Sequence, residues 1–416
     1  MKYLSYRDIA GYRHAFVENV MIDDVARSIQ TPFYLYSKKT LIDNFLEFKN
    51  SFNDIDCKIC YAIKANCNLS LVKLIAELGG GIDAVSAGEI DRAIKAGIDP
   101  RKIVFAGVGK TKAEIEFALK SGVEEFSVES EPEMFALNEI AIKLEMKAKF
   151  SLRVNPNVDA KTHSKISTGK KGDKFGVDIE FAEDIYRKAN ALPGLEVYGI
   201  STHIGSQITS QEPFRLAFVK IRELFFSLKN QGISIKNLDF GGGIGVVYKD
   251  EIAIEIKSYA NIIKDLTKDL DVKITIAPGR AIVASAGILV SRVIYIKKGS
   301  NKIFAVIDAA MNDLARPGLY DSYHEILPVI QNTSARILYD VVGPICESTD
   351  ILAKGRELHE LKSEDLIMFL TCGAYGSSMS NQYNCRNLIP EIMIDDNNFK
   401  IIRRRPSFEE MLQLEI

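Results

Sequence analysis

The sequence predicts an α/β fold, a TIM-like (β/α)8 barrel joined to a β-rich domain, and two observations predict it. From residue 57 to residue 277, eight short runs of β-type character alternate with amphipathic segments of helical spacing. After residue 280 the pattern changes to β-branched alternation with few long helical patterns. We therefore expect a barrel over residues 31–280 and a β domain, a barrel or a sandwich, formed by residues 1–30 and 281–416.

The eight predicted strands are short and mostly apolar. In order they are CKICYAI, IDAV, KIVF, EFSV, KAKFSLRV, LEVYGISTH, IKNLDF and KITIA. The segments between them, such as LSLVKLIAELGG and AGEIDRAIKAG, have helical periodicity and a glycine near the C-terminal end. An open, doubly wound sheet has the same alternation, but it usually has fewer strands, so the closed barrel is favoured.

Composition and charge exclude several classes of protein. Of 416 residues, 47% are hydrophobic and 26% are charged, and the net charge is −2, which suggests neither a nucleic-acid surface nor an anionic-membrane surface. The N-terminus lacks the apolar stretch of a signal peptide and no run has transmembrane length, so we expect a cytoplasmic protein. Cys57 and Cys60 form a C-x-x-C without a second pair or a histidine cluster, so we expect no metal.

Chemistry-bearing residues follow the predicted strands at the end where barrels of this type have their active sites. In strand order these are Lys64, Asp83, the polar loop 153–176, His203 with Ser206, the glycine run Gly241–Gly243, and the APGR string at 277–280. Each is ordinary alone, because a strand-end lysine usually snorkels and a glycine run usually marks a tight turn. Together, at successive strand ends, they predict an active site.

These residue types point to a phosphorylated aldehyde as cofactor. Three consecutive glycines let backbone N–H groups approach an anion, and the loop after strand seven is a recurring phosphate site in such barrels. A desolvated lysine loses its proton readily and then attacks aldehydes. Pyridoxal 5′-phosphate meets both requirements, with Lys64 as its anchor and His203 placed to cover one face of the ring.

Longer strings along the chain are more specific. They are YAIKAN, RVNPNVDAKTHSKISTGKKGDKFG, THIGSQ, GGGIG, PGRAIVA, AAMNDLARPGLYDSYH, GPICESTD and GAYGSSMSNQYN. In this order, and over nearly the whole chain, they resemble the bacterial diaminopimelate decarboxylases, which are barrel-type (fold type III) pyridoxal-phosphate enzymes. YAIKAN and GGGIG are shared with arginine and ornithine decarboxylases, whereas the long strings are not.

The resemblance implies a cofactor-binding set. Lys64 would form the internal aldimine, His203 would stack on the pyridine ring, and Ser206 with two glycines would hold the phosphate. The full set that it implies is Lys64, Asp83, His203, Ser206, Gly242, Gly243, Ala277, Gly279, Arg280 and Tyr375.

The resemblance also implies the substrate site and the reaction. Cys346 would supply the proton after carbon dioxide leaves, which makes Lys64, His203 and Cys346 the expected catalytic residues. The expected substrate-binding residues are Arg280, Arg316, Tyr320, Glu347 and Tyr375, with Glu347 as partner of the distal ammonium. In the family, Cys346 and Glu347 come from the neighbouring subunit of a homodimer with shared active sites. The implied reaction is decarboxylation of meso-2,6-diaminopimelate to L-lysine, the last step of lysine biosynthesis.

The chemistry of the residues agrees with that substrate. Two arginines and a glutamate suit a molecule that bears carboxylates and a second amine. The structural alternative for Arg316 and Glu347 is a surface ion pair, which the flanking strings disfavour.

One position departs from the family pattern. The family has a glutamate before PGR, where its carboxylate pairs with the pyridine nitrogen, and this chain has Ala277. Two alternatives stay open at this point. One is another barrel-type decarboxylase, for arginine, ornithine or carboxynorspermidine, and Glu347 beside Cys346 favours diaminopimelate over these. The other is a catalytically impaired pyridoxal-phosphate-binding homologue, against which Cys346 argues.

Overall fold

The computed structural model describes residues 1–159, 172–413 and 415–416. The chain divides into two compact units. Unit 1 comprises Met1–Asn44, Val247–Glu251 and Ile282–Ile416, and unit 2 comprises Phe45–Val246 and Ile252–Ala281. Within the described ranges no helix is long and apolar enough to cross a bilayer.

The first elements of the chain belong to unit 1. They are β1 (Leu4–Ile9), β2 (Tyr12–Val17), β3 (Val20–Met21), α1 (Ile22–Ser28) and β4 (Phe33–Ser37). Helix α2 (Lys38–Ser51) follows and carries the chain into unit 2. Every residue of β4 is buried, as expected for an interior strand of a sheet.

Unit 2 contains a closed parallel barrel. Its strands are β5 (Cys57–Ala62), β6 (Gly81–Ala84), β7 (Ile103–Phe105), β8 (Glu125–Val128), β9 (Ala148–Asn155), β10 (Val177–Asp178), β11 (Leu195–Ser201), β12 (Asn237–Asp239) and β13 (Lys273–Ile276). Eight of them pair in the order β5-β6-β7-β8-β9-β11-β12-β13, and β13 pairs back to β5. Strand β10 pairs with β9 only. The predicted barrel and its eight strands are confirmed.

Helices connect the barrel strands. They are α3 (Leu69–Glu77), α4 (Ala87–Lys95), α5 (Lys112–Lys120), α6 (Glu131–Lys143), α7 (Ile179–Asn190), α8 (Gln211–Asn230) and α9 (Ile256–Thr267). Several begin at a side-chain cap, as at Ser86, whose hydroxyl accepts from the Glu89 N–H. Gly79, Gly97 and Gly122 follow α3, α4 and α5 with φ between +86° and +95°, the left-handed conformation that ends a helix.

The remaining elements follow the barrel. They are α10 (Arg280–Val283), β14 (Gly287–Lys298), β15 (Ile303–Ile307), α11 (Arg316–Tyr320), β16 (Ile326–Pro328), β17 (Ile330–Gln331), β18 (Arg336–Val342), β19 (Ile351–His359), β20 (Leu366–Phe369), β21 (Glu391–Asp395), β22 (Asn398–Arg403) and α12 (Phe408–Leu412). The larger sheet has the order β19-β18-β15-β14-β4-β21-β22, and β20 joins β14 to β16. A smaller sheet contains β1, β2, β3 and β17. The predicted β-rich region, with its N-terminal contribution, is confirmed.

The division of the chain differs from the predicted boundaries of 31 and 280. Residues 31–44 and 247–251, which the sequence analysis placed in the barrel, belong to unit 1, and residue 281 belongs to unit 2. Strand β4 pairs antiparallel with β14 and parallel with β21, so its hydrogen bonds are satisfied in the larger sheet. Its Phe33 and Leu35 lie in one core with Ile288 and Ile392.

Candidate active site

The lysine and the carboxylate predicted for the first two barrel strands lie together. Lys64 occupies a short 3-10 turn, Ile63–Ala65, immediately after β5, and Asp83 lies on β6, the neighbouring strand. Nζ of Lys64 is 3.7 Å from Oδ2 of Asp83, and the lysine side chain is 40% exposed. Burial raises the pKa of Asp83, and the positive charges of Lys64 and Arg153 oppose that shift. A partly exposed amine therefore stands beside a buried carboxyl group at the strand ends.

His203 follows β11 and is held in its neutral form. The backbone N–H of Gly242 donates to its Nδ1 at 3.2 Å, so Nδ1 is unprotonated and the proton of the neutral ring is on Nε2. Burial lowers the pKa of His203 well below its usual value, and the charges of Arg153 and Lys64 act in the same direction. An uncharged, partly buried imidazole at a barrel rim suits contact with the face of an aromatic ring.

The glycine run after β12 brings three strand ends into direct backbone contact. Gly241 has φ +63° and Gly243 has φ +111°, both in the region that favours glycine. A Cβ on Gly242 would lie 2.2 Å from the carbonyl oxygen of Ala277, and one on Gly243 would lie 2.5 Å from that of Gly205. Only glycine fits this turn, because a Cβ at either position would overlap a backbone carbonyl oxygen.

Asp239 holds the start of that turn. Its Oδ1 accepts a hydrogen bond from the Gly241 N–H at 2.8 Å. Burial, with the nearby charge of Glu125, raises the pKa of Asp239 to about 8, against the opposing effect of the Gly241 N–H. This aspartate lies in the predicted strand IKNLDF and was given no role there, and an acid two residues before a glycine run was the available signal.

A buried cation lies beside the same strand ends. Arg280 is 6% exposed, and its Nη2 and Nε donate to Oγ of Ser206 at 2.9 and 3.3 Å. Gly279 lies one residue earlier. A Cβ added to it would be 3.1 Å from the Cβ atoms of Ala62 and Ala65, so a side chain there would displace one of them. A guanidinium, a hydroxyl and a glycine turn in adjacent loops form a region suited to a phosphate or a carboxylate.

The predicted cofactor-binding residues of unit 2 fit pyridoxal phosphate by their chemistry. An amine is present for the aldehyde, a neutral ring for the aromatic face, and a glycine turn with Ser206 for the phosphate. Ala277 is the exception in the set. Its N–H donates to the Gly241 carbonyl at 2.7 Å, which fixes it beside the turn, but its methyl group offers no acceptor to a ring nitrogen.

Of the substrate residues predicted in unit 1, Arg316 is the buried one. It begins α11, is 5% exposed, and its Nη1 lies 2.9 Å from Nε2 of His324. Nδ1 of His324 is 2.9 Å from the Leu370 carbonyl, so Nδ1 donates there and Nε2 accepts from the arginine. The guanidinium also lies 4.6 Å from the centroid of the Tyr248 ring. Arg316 is therefore fixed in orientation and is not a member of a surface ion pair.

The other predicted residues of unit 1 lie on three segments. Tyr320 ends α11 and is partly exposed, and Cys346 with Glu347 lies in an exposed turn between β18 and β19. Tyr375 is partly exposed in the GAYG string, with φ +55°. Tyr375 was predicted to contact the cofactor, whereas the other predicted cofactor residues belong to unit 2. The roles of all of these residues stay predictions.

A charge pair at the rim was not predicted from the sequence. Nη1 of Arg153, on β9, donates to Oε1 of Glu129 at 2.8 Å, and Glu129 also accepts from the N–H groups of Gly107 and Gly176. Glu129 directly follows β8, the fourth strand of the barrel, so inspection of the residue after that strand would have found it. The polar loop 153–176 was named instead, and its residues 160–171 lie outside the described part of the chain.

His324 and Tyr248 were also missed. Both support Arg316, but they are 8 and 68 positions from it in the chain, and neither residue type signals such a contact. Tyr248 belongs to the five-residue segment that unit 1 takes from the middle of the barrel sequence.

Comparisons with known proteins identify the family of this chain. A family model described as "Pyridoxal-dependent decarboxylase, pyridoxal binding domain" matches residues 38–284. A diaminopimelate decarboxylase of Vibrio cholerae is 45% identical over 416 residues, which is 100% of this chain and 99% of that protein. One from Neisseria meningitidis is 43% identical over 96% of this chain and 98% of that protein.

Solved structures give the same result. Diaminopimelate decarboxylase from Helicobacter pylori, complexed with L-lysine, is 44% identical with a TM-score of 0.92, and the match covers 95% of this chain and 99% of that one. The enzyme from M. jannaschii, in co-complex with L-lysine, is 33% identical with a TM-score of 0.93, over 99% of this chain and 97% of that one.

Barrel, lysine and glycine turn together define a barrel-type pyridoxal-phosphate-dependent decarboxylase, and the family model agrees. Within that class the whole-length relatives are more specific. The chain belongs to the diaminopimelate decarboxylase family.

Proposed function

We propose that this chain catalyses the decarboxylation of meso-2,6-diaminopimelate to L-lysine and carbon dioxide, the last step of lysine biosynthesis. The observation that carries the proposal is the presence of Lys64, His203 and the Gly241–Gly243 turn at the rim of the barrel. It is supported by relatives named for that activity that match the whole chain. Two of the similar solved structures are complexes with L-lysine, which is the product of the proposed reaction.

Pyridoxal phosphate, when bound, supplies an aldehyde that condenses with amines and a ring that withdraws electrons from the reacting carbon. Lys64 would hold the aldehyde end, and Ser206, Gly242 and Gly243 would hold the phosphate. His203 would cover the ring as an uncharged group, because its Nδ1 accepts from Gly242 and its pKa is lowered. The residues of the barrel rim thus bind and orient the cofactor.

The substrate's charges have matching groups in this chain. Arg280 and Arg316 are buried and held by Ser206 and by His324, so each presents a guanidinium of fixed orientation to a carboxylate. Glu347 would accept from the distal ammonium, and Tyr320 and Tyr375 would complete the set. A charge-assisted hydrogen bond of this kind contributes about 1.5 to 3 kcal/mol.

The reaction needs one proton at a defined carbon. Loss of carbon dioxide leaves an electron pair on the α-carbon, and a C–H bond must replace the broken C–C bond. The Cys346 thiol would give its proton to that carbon and regain one from water, so that no redox change is required. Cys346 is exposed in the single chain, so its thiol is accessible to a substrate.

We further propose a homodimer with shared active sites, in which Cys346 and Glu347 serve the cofactor that the partner chain holds. Both residues are exposed on the single chain, and the family resemblance implies this arrangement. Neither a nucleic acid nor a membrane is expected as a partner. The cytoplasmic location stays a prediction.

The decisive experiment is an assay of carbon dioxide release with identification of the amine product. The protein reconstituted with pyridoxal phosphate should convert meso-diaminopimelate to lysine and should leave arginine, ornithine and carboxynorspermidine unreacted. Lys64→Ala should lack both the activity and the visible absorbance of lysine-bound cofactor, whereas Lys95→Ala, on the exposed side of α4, should retain both. Faster turnover of one of the other three substrates would refute the assignment, and identical spectra for all three proteins would refute the role of Lys64.

A further inference from the structure

The turn that carries Cys346 and Glu347, residues 343–350, is built around one buried carboxylate. Asp350 is 3% exposed, and its Oδ2 accepts from the Ile345 N–H at 2.7 Å. Its Oδ1 accepts from the Met311 N–H, also at 2.7 Å. A Cβ on Gly343 would lie only 2.4 Å from Oδ2, so the turn closes tightly on this side chain. Asp350 thus ties the turn to the segment that leads into Arg316.

A second side chain holds the same turn from another segment. Oδ1 of Asn384 accepts from the backbone N–H of Cys346 at 2.9 Å, across 38 residues of sequence. Asn384 itself has φ 56° and ψ 30°, a left-handed conformation that asparagine adopts more readily than most residues. Nearby, the Asn381 N–H donates to the Asn312 carbonyl at 3.0 Å, and Nδ2 of Asn312 donates to the Asn381 carbonyl at 3.3 Å.

These contacts join the three segments of unit 1 that carry the predicted substrate residues. Segment 309–320 carries Arg316 and Tyr320, the turn 343–350 carries Cys346 and Glu347, and segment 375–385 carries Tyr375. The thiol position depends on the backbone of residue 346 and on one rotatable bond, because Sγ is attached directly to Cβ. The backbone there is fixed by Asn384 at residue 346 and by Asp350 at residue 345.

We propose that Asn384 and Asp350 are positioning residues that fix the Cys346 backbone from two sides, so that its thiol can give its proton to the substrate carbon that has lost carbon dioxide. The proposal rests on the proposed function, in which Cys346 is the proton donor. Neither residue is expected to touch the substrate. Their contribution lies in geometry, because a donor that is displaced by about 1 Å can lose about 100-fold in rate.

Two substitutions at residue 384 separate the hydrogen bond from the backbone conformation. Asn384→Gly keeps the left-handed conformation without strain and removes the acceptor. Asn384→Asp keeps an acceptor oxygen at the same place. We expect Asn384→Gly to lower kcat by about 10- to 100-fold with little change in KM, since the loss falls on proton transfer from the thiol and not on substrate binding. Asn384→Asp should restore most of the turnover.

A matched control is available on the same unit. Asp396 also has a left-handed conformation, φ +56°, and lies in the turn between β21 and β22. Asp396→Gly introduces the same kind of change away from the three segments and should leave kcat at the wild-type value. Asp350→Asn is a second probe, because its amide presents an NH2 group to one of the two backbone N–H donors and should lower kcat in the same way.

A double-mutant cycle with Cys346→Ala distinguishes positioning of the thiol from a purely structural role of Asn384. Once the thiol is gone there is nothing left to position, so Asn384→Gly should cause no further loss of kcat in that background. Independent losses that multiply would overturn the positioning proposal and leave the proposed function intact. The positioning proposal would also be overturned if Asn384→Gly had the wild-type kcat while Cys346→Ala had a lowered kcat. Wild-type kcat for Cys346→Ala itself would instead overturn the proposed role of Cys346, and the positioning proposal with it.

Discussion

His203 illustrates how single residues at the barrel rim obtain their charge state from their surroundings. The Gly242 N–H occupies Nδ1, and burial with two nearby cations lowers the pKa, so the ring is uncharged at neutral pH. Asp239 shows the opposite case, because burial raises its pKa to about 8. Both shifts favour the uncharged form of the group, and both arise from the same desolvated rim.

Ala277 provides the sharpest prediction at this scale. Without a carboxylate opposite the pyridine nitrogen, a charge-assisted hydrogen bond of about 1.5 to 3 kcal/mol is missing. Electrons flow into the ring as the carboxylate bond breaks, so the loss should fall on the transition state more than on substrate binding. At about 1.4 kcal/mol per tenfold, Ala277→Glu should raise kcat by roughly 10- to 150-fold with KM little altered.

The control for that substitution is Ala277→Gln, which has the same shape and no charge. It should raise kcat much less, while both variants keep the absorbance spectrum of lysine-bound cofactor. If kcat of the glutamate variant equals that of the present chain, the ring nitrogen is already protonated by another group and the argument from Ala277 fails.

Residue types predicted part of the site and could not predict the rest. Lys64 and His203 were found because each follows a barrel strand, where the fold itself assigns a meaning to position. Asn384 and His324 act through a hydrogen bond to a residue elsewhere in the chain, and an asparagine or a histidine in a loop gives no sign of its partner. Sequence reasoning therefore identifies residues that face a ligand more readily than residues that hold those ligand-facing residues in place.

At the scale of elements, the barrel strands were predictable because parallel strands covered by helices are apolar over their whole length. Strand β4, with the sequence FYLYS, is not among the eight predicted strands, and only the boundary at residue 31 placed it with the barrel. Only its partners, β14 and β21, distinguish it, and both are more than 200 residues away. Strand β10 has two residues, which is too short for periodicity to be detected.

The glycine turn after β12 gives a prediction for an element. In Gly242→Ala the new Cβ would meet the carbonyl oxygen of Ala277, a backbone atom that cannot rotate away. The ends of β12 and β13 would have to separate, so we expect a loss of about 1 to 3 kcal/mol in the free energy of unfolding. Affinity for pyridoxal phosphate, measured by titration of its absorbance, should fall as well because the phosphate turn is displaced.

Gly109→Ala is the matched control, because that glycine has open space around it and an ordinary φ. It should change the free energy of unfolding by less than about 0.5 kcal/mol. Unchanged stability and unchanged cofactor affinity in Gly242→Ala would show that the turn relaxes without cost and that its tight contact is not required.

For the whole molecule, the proposed homodimer predicts complementation between two inactive chains. Lys64→Ala lacks the cofactor anchor and Cys346→Ala lacks the proton donor, so each homodimer should be impaired. After unfolding and joint refolding, some heterodimers would combine an intact Lys64 from one chain with an intact Cys346 from the other. Activity should therefore rise above that of either variant alone.

Exchange of subunits has to be measured in the same mixture, by differently tagged chains that copurify. If subunits exchange but activity does not rise, Cys346 acts in the active site of its own chain or lies outside any active site. A chain that remains monomeric by light scattering would contradict the shared site directly.

Strand β4 has a consequence for how the protein is synthesised. The hydroxyl of Tyr36, on this strand, donates to Glu391, which is 355 residues later in the chain. At roughly 5 to 20 residues per second, a ribosome needs about 20 to 70 s to reach that partner. The whole barrel can be made and closed within this interval, while an apolar five-residue strand near the N-terminus waits for its partners, first β14 and last β21. Completion of the larger sheet of unit 1 is thus a late, post-barrel event, and a nascent chain stalled before residue 391 still exposes one edge of β4 to aggregation or to a chaperone.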